Sequence, residues 1–517
     1  ILQSMNPEVV PNVSKFLFMK KNPENISEDK CLALYTSLGL SKWQYLSLRN
    51  FMINENCSAV FPSYQKLLSA KSRCYPSKDN VEMTEIGARI NLQGLLDHTL
   101  SRILLDLEPI TCSTNEGLKF IWKWGLDGSS SQINYKQRCS ALGFDDSSVV
   151  MVSIVPLRLV DGGELNIWEN PNPASTYYCR PVKFTFASET AAFIKAEHSE
   201  MERQIAELLP TKYKDLEIVH ELHMTMIDGK VANVVADVSS SATCPICLAK
   251  PSEMNRLELL ATKPLRTDLY RYGISSLHMK IRCMECLLHI SYNIDFKRWN
   301  ARGEHKALKE VKKHTQGFGT TNDGNTARRF FSDFETSSRI TGIDPNLIRR
   351  FSVILQVISS RKSINIETFR VYCRETAELY VQLYPWYYMP VSVHKLLMHG
   401  ADICSNFSIL SIGSLSEEAS EARNKDFRNI RERNTRKTGR INTNVDILHG
   451  LLISSDPHIS HIRPKISRTI RHDLLPEAVP LLQLHTEEAH LEEQEKVISE
   501  SENIPGLVQP SCSSSHI

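Results

Sequence analysis

The chain has 517 residues, 41% hydrophobic and 23% charged, ordinary globular proportions that exclude a wholly disordered, collagenous or coiled-coil chain and allow about three to four domains. Its 61 Lys and Arg nearly balance 59 Asp and Glu, for a net charge of +2, so overall charge names no partner and any nucleic-acid signal must be local. No apolar run approaches the ~18 to 20 residues that cross a bilayer, and the opening ILQSMNPEVV lacks the basic-then-apolar order of a secretory leader, so a soluble, non-secreted protein is expected.

The chain opens on Ile1 rather than Met, which predicts a trimmed native start. Residues 1–40 are mixed and weakly periodic. From Leu40 to about Pro109 the pattern is helical: in LSKWQYLSLRNFMINE, Ser41 reads as an N-cap, with Trp43, Leu46, Leu48, Phe51 and Met52 as the apolar stripe. Short helices with scattered Lys and Arg suit a dimerisation or DNA-binding domain as well as a plain bundle. From Leu118 the period becomes two, and LKFIWKWGLDG ends at Asp127-Gly128. VVMVSIVPLRLV, LNIWE and VKFTFAS read as further strands and TAAFIKAEHSEMERQIAELL as a helix. LEIVHELHMTMI then reads as a strand running into Asp228-Gly229. This order predicts an α/β layer fold.

The 13 cysteines are scattered apart from two CxxC pairs, a poor disulfide framework that points to a reducing compartment, with the paired cysteines reserved for metal. A largely helical region spans about 300 to 400, followed by the basic stretch NKDFRNIRERNTRKTGR. From about 476 the tail is Glu-rich, with Ser and Pro near its end, and reads as partly disordered.

An Asp-Gly after a strand is ordinarily a hairpin turn. A third acid changes the weighing: Glu417, Glu418 and Glu421 cluster in SLSEEASEARNKDFR, on a helix expected to open at Ser414 or Ser416. Two strand-borne Asp residues and one helix-borne Glu are what two-metal phosphoryl transfer requires, because hard oxygen ligands hold two Mg²⁺ ions ~3.5 to 4 Å apart. Glu418 and Glu421 share a helix face, so spacing alone does not choose between them.

The segment GSLSEEASEARNKDFRNIRERNTRK resembles the motif carrying the catalytic Glu in Transib transposases and in the related catalytic subunit of the V(D)J recombinase. LDG at 126–128 and IDGK at 227–230 look like that family's two Asp motifs, and CPIC at 244–247 and HKLLMH at 394–399 look like its zinc pairs. The resemblance covers roughly residues 40 to 450. It implies Asp127, Asp228 and Glu421 as catalytic ligands of two Mg²⁺ (or Mn²⁺), the family motif favouring Glu421 over Glu418. It also implies an α/β, ribonuclease-H-like catalytic core of DDE type with a large, mostly helical zinc-binding insertion, preceded by a small helical domain. The gap from Asp228 to Glu421 is nearly twice that from Asp127 to Asp228, more than one completing helix needs.

The expected domains are an N-terminal segment (1–40), a helical dimerisation or DNA-binding domain (41–112), the first part of the core (113–240) and the insertion (241–400). The core's C-terminal helix (401–450) and the tail (451–517) follow. The implied function is that of a nuclear, homodimeric cut-and-paste transposase, without a membrane partner. It would bind terminal inverted repeats, nick, form hairpins on flanking DNA and join the excised 3′ ends to target DNA. A zinc-stabilised DNA-binding protein without cleavage, and an RNase-H-like nuclease without strand transfer, are the alternatives.

The basic run from Arg423 to Arg440 is an ordinary solvated face or import signal on its own. It continues the helix expected to carry Glu421, with Asn424, Arg428 and Arg431 at helical spacing, so that face is expected to contact DNA phosphates. His278 resembles a functional His of the family and reads equally as a helix-packing histidine. For one structural zinc, Cys244 and Cys247 pair either with Cys283 and Cys286, farther apart than the ~15 to 20 residues typical of such knuckles, or with His394 and His399. The second set is preferred because it clasps the two ends of the insertion.

Overall fold

The structure is a computed structural model and describes residues 26–55, 57, 60–107, 117–130, 139, 146–162, 165–295, 297, 323–407, 410–463 and 474–483. The readings of the first 25 residues and of the Glu-rich tail beyond 483 lie outside these. Among the described residues no helix is long and apolar enough to cross a membrane.

Three helices open the chain, α1 (Glu28–Leu38), α2 (Lys42–Asn54) and α3 (Tyr64–Ser72), capped by Ser27, Ser41 and Ser63. Ser41 forms a reciprocal capping box with Gln44, satisfying two backbone donors at once. The expected α2 stripe is corrected: Trp43 and Phe51 are 68% and 61% exposed, whereas Tyr45 and Met52 are buried. Tyr45 stacks on Phe61 at 5.5 Å and its hydroxyl donates to the Pro62 carbonyl at 2.7 Å, which fixes the inward face.

The helical expectation also breaks at residue 81. β1 (Val81–Thr84) and β2 (Gly87–Ile90) form an antiparallel hairpin, and α4 (Leu92–Leu104) follows. Residues of β2 and α4 belong to the main core, while α1 to α3 form a separate apolar cluster with Ile453 and Ile459. The stretch 41–112 is therefore divided between two cores.

β3 (Leu118–Ser129), β4 (Val149–Val160), β5 (Asn166–Glu169), β6 (Arg180–Thr185), α5 (Ala191–Ala206), β7 (Thr211–Tyr213) and β8 (Leu216–Met226) come next. They complete an eight-stranded sheet of order β1-β2-β6-β4-β3-β8-β7, with β5 beside β4. β3 pairs antiparallel with β4 and parallel with β8, and α5 lies in the crossover. The alternation read in β3 does not divide core from solvent: Trp122 and Trp124 are as fully buried as Ile121 and Lys123, because a central strand is covered on both faces.

The chain then leaves the sheet through α6 (Gly229–Val235), α7 (Leu257–Ala261), α8 (Ser276–Asn293), α9 (Gly324–Ser332), α10 (Phe334–Thr341), α11 (Pro345–Ser359), α12 (Ile366–Leu383) and α13 (Val391–Ser405). It returns with α14 (Glu418–Arg433), which packs on β3 and β4, and α15 (Arg440–Ser454), which packs on β1, β2 and β6. α16 (Pro457–Ile462) docks on α1 and α4. α14 opens later than the sequence suggests: Ser414 lies in a 3₁₀ turn and Glu417 is the N-cap.

Candidate functional site

β3 and β8 run parallel with Gly125 opposite Met226. Asp127 and Asp228, each two residues farther on, therefore emerge side by side at the carboxyl ends of adjacent strands, where open α/β sheets place their ligands. The close approach depends on glycine, since a Cβ on Gly125 would lie 2.4 Å from the Met226 carbonyl oxygen. Neither Asp sits in a hairpin turn: Asp127 is within β3, paired with Met151. Asp228 caps α6, accepting from the Val231 N–H at 2.7 Å.

Glu421 enters from the first turn of α14. The Asp127 carboxyl is pushed up to about 7, by burial first and then by the negative charges of Glu421, Asp228 and Glu189. Burial also raises Glu421, with Glu417 and Glu418 adding to the effect and His278 opposing it. Asp127 thus feels the charges of both Asp228 and Glu421. Glu418 turns elsewhere, its Oε1 lying 3.4 Å from an Arg328 guanidinium nitrogen.

His278, in the first turn of α8, faces this cluster. Its Nδ1 lies 2.8 Å from Glu417 Oε1 and its Nε2 lies 3.4 Å from Glu421 Oε1. The hydrogen bond to Glu417 raises the imidazole to about 9, so it is a cation at neutral pH. Burial alone would raise Glu417, but His278 and the Ser275 hydroxyl, which donates to the same oxygen, hold it below the usual carboxylate range. Sequence reading placed Glu417 only among a run of acids and missed Ser275, Glu189 and Lys123. Glu189, beside Gly128, takes an ion pair from Lys230 at 2.7 Å. Lys123, fully buried, donates to the carbonyls of Ser416 at 2.9 Å and Ser414 at 3.4 Å, and burial pushes its ammonium down to about 7. Such side chains act through neighbours distant in sequence, and no local motif marks them.

A second cluster lies in the helical region. Cys244 and Cys247, after α6, and His394 and His399, on α13, are all buried, and one ligand atom from each lies within 4.8 Å of the others. Cys247 Sγ is 3.3 Å from His394 Nε2, and its hydrogen bond pulls the Cys244 thiol down to about 7. Two thiols and two imidazoles with no carboxylate form a donor set suited to zinc. His394 Nδ1 and His399 Nε2 are buried without a hydrogen-bond partner. Cys283 and Cys286 are not part of this group: Cys286 Sγ meets the Tyr380 hydroxyl at 3.4 Å, and burial pushes both thiols up, which keeps them neutral. Among the described residues the other grouping this tight is His278, Glu417 and Glu421.

No protein-family model and no curated protein matches the chain. Among solved structures, the Drosophila P element transposase strand transfer complex is similar at 12% identity and a TM-score of 0.32, covering 89% of this chain and 98% of that chain.

The three residues expected on one DNA-facing side of α14 point in different directions. Arg428 is half-buried and donates to the Ser130 carbonyl at 3.1 Å. Arg431 is a correction: it is 3% exposed, ion-paired with Asp146 at 2.6 Å and lies over the Phe186 ring, so it is committed to the interior. Asn424 is 7% exposed and donates to Asp127 at 2.6 Å, which places it in the carboxylate site rather than on an exposed flank.

Proposed function

We propose that this chain is a DNA-cutting and DNA-joining enzyme of the cut-and-paste transposase kind, working through Asp127, Asp228 and Glu421. The observation carrying the proposal is the register-matched pair of aspartates at the ends of parallel strands β3 and β8, with a glutamate delivered beside them by the helix that returns to β3. A ribonuclease-H-like core agrees with the antiparallel run β6-β4-β3 extended by a parallel β8. The helical segment between β8 and α14 takes the place of the zinc-binding insertion.

The three carboxylates fit hard divalent ions, which when bound would activate an attacking oxygen and stabilise a leaving one. Around them the protein's own groups divide the work. Asp228, fixed by the α6 N-terminus, and Asp127 present oxygens from rigid strand ends. The cationic His278, pinned by Glu417, offsets the accumulated negative charge and orients Glu421. Because nicking, hairpin formation and joining are each in-line displacements at phosphorus, one such site serves all three, with water and then a sugar hydroxyl as nucleophile. Arg428 and the exposed Lys425 and Arg433 offer phosphate contacts on α14. The Cys244, Cys247, His394 and His399 group would hold one zinc ion, tying the segment after α6 to α13 and setting the path along which Glu421 returns. We further propose that the protein acts on terminal repeats as a nuclear homodimer.

The test is incubation of the purified chain with candidate terminal-repeat duplexes and Mg²⁺, resolving nicks, hairpins and joined products on denaturing gels. Nicks and joined products are expected. Nicks without joining would make it a nuclease, and binding without nicks would make it a DNA-binding protein.

A further inference from the structure

Asn424 stands one turn beyond Glu421 on α14, with Phe427 buried on the same helix against Phe184 and Phe186. Its side chain is more than nine-tenths buried, its Nδ2 donates to Asp127 Oδ2 at 2.6 Å, and its Oδ1 has no hydrogen-bond partner. Asp127 Oδ2 accepts this bond, which turns the amide nitrogen toward the strand. Its oxygen is thereby left buried without a donor. Burying an acceptor without a donor is costly, and a donor brought in with a ligand would recover that cost.

Resting on the proposed function, we infer that Asn424 is the positioning residue of Asp127. Its Nδ2 occupies Oδ2, leaving Oδ1 of Asp127 as the oxygen presented to a divalent ion, and its own Oδ1 accepts from a water or sugar hydroxyl brought in with that ion. The clamp also resists the repulsion that Glu421, Asp228 and Glu189 exert on Asp127, so the strand-borne and helix-borne halves of the site stay in register. This assigns to Asn424 a role in the affinity of the site for metal rather than in the affinity of the protein for DNA.

The experiment measures Mn²⁺ binding to the full, zinc-loaded chain by electron paramagnetic resonance of the free ion, alongside repeat binding and nicking kinetics. Asn424→Leu keeps the branching and heavy-atom count and removes the donor; Asn424→Ala serves if the bulkier leucine disturbs folding. Loss of such an outer partner lowers metal affinity by about 10- to 100-fold. The expected result is a Mn²⁺ Kd at least about tenfold weaker, with melting temperature and repeat affinity unchanged and nicking recovered at saturating Mn²⁺. Mn²⁺ affinity within twofold of the unmodified chain in the variant that folds overturns the inference while leaving the proposed function intact. An unmodified chain that neither binds Mn²⁺ nor nicks overturns the proposed function and this inference together.

Discussion

Lys123 and Ser416 meet inside the protein, the ammonium of a central-strand lysine donating to the carbonyl just ahead of α14 at 2.9 Å. Lys123 stands four residues, two pleat repeats, before Asp127 on β3, and Ser416 stands just ahead of the helix that carries Glu421. The contact therefore couples the strand-borne and helix-borne halves of the candidate site.

Replacing Lys123 by Met should keep the volume, lose the tether and cut nicking by about tenfold or more. Stability should change little, because the desolvation cost of a buried charge offsets much of what its hydrogen bonds contribute. Parallel melting and nicking measurements check this, and equal losses in both would reduce Lys123 to a packing residue.

Asp127→Ala, Asp228→Ala and Glu421→Ala should each abolish metal-dependent nicking and leave repeat binding within about threefold, since DNA affinity comes mainly from basic contacts. Glu418→Ala should be milder, because Glu418 faces Arg328 and not Asp127. Gel-resolved nicking decides it: cleavage that survives Glu421→Ala but not Glu418→Ala reverses the assignment.

The Cys₂His₂ cluster leads to a compositional test. Cys244→Ser or His394→Ala should each lose about one zinc per chain by elemental analysis and lower the melting temperature, since structural zinc contributes directly to folding. Chelator should do the same to the unmodified chain. Cys283→Ser, outside the cluster, should keep its zinc; the opposite pattern would return the site to the four-cysteine arrangement.

On α14 the two arginines should part company. Arg428→Ala should flatten the salt dependence of DNA binding by about one unit. Arg431→Ala should instead destabilise the fold, by less than the about 3 to 5 kcal/mol of a wholly unpaired buried charge, because the buried Asp146 carboxylate loses its 2.6 Å partner but keeps Arg440 at 3.4 Å. Denaturant melts and salt titrations of both variants separate the two effects, and an equal salt slope change in both would place Arg431 on the DNA after all.

Where the backbone pattern is long and regular, the sequence was legible: β4 is found at Val149–Val160 as the apolar run predicted, and β8 starts at Leu216 as expected and stops at Met226, one residue short of the run that reaches Asp228. The short β1–β2 hairpin was hidden because its strands are only four residues each, too short for their alternation to stand out, and β2 owes its place to pairing with β6, far along the chain. Periodicity likewise put Trp43 and Phe51 inward, although the burial of α2 is decided by where Phe61 and Pro62 fold back. The acids and metal pairs were readable as motifs. Lys123 and Ser275 were not, and Asn424 read as a phosphate contact and not as a partner of Asp127, because each derives its role from a partner brought near only by the fold.

The junction of α1 with α4 and α16 carries a pH dependence. His458 sits with Nδ1 2.7 Å from Asp106 and Nε2 3.6 Å from Asp29, and hydrogen bonds to Asp106 and then Asp29 raise it to about 9. Arg73, 2.8 Å from Asp29, and His461, 3.3 Å from Asp106, face the same carboxylates. A histidine whose folded value exceeds its unfolded ~6.5 stabilises fully below that unfolded value and loses the contribution as pH rises through about 9. With the side chain 18% exposed, His458→Gln should cost about 2 kcal/mol near pH 6, and the deficit should shrink progressively toward pH 10. Melting curves of both proteins from pH 6 to 10 test this, and a deficit independent of pH would mean that His458 stabilises the junction by packing rather than by charge.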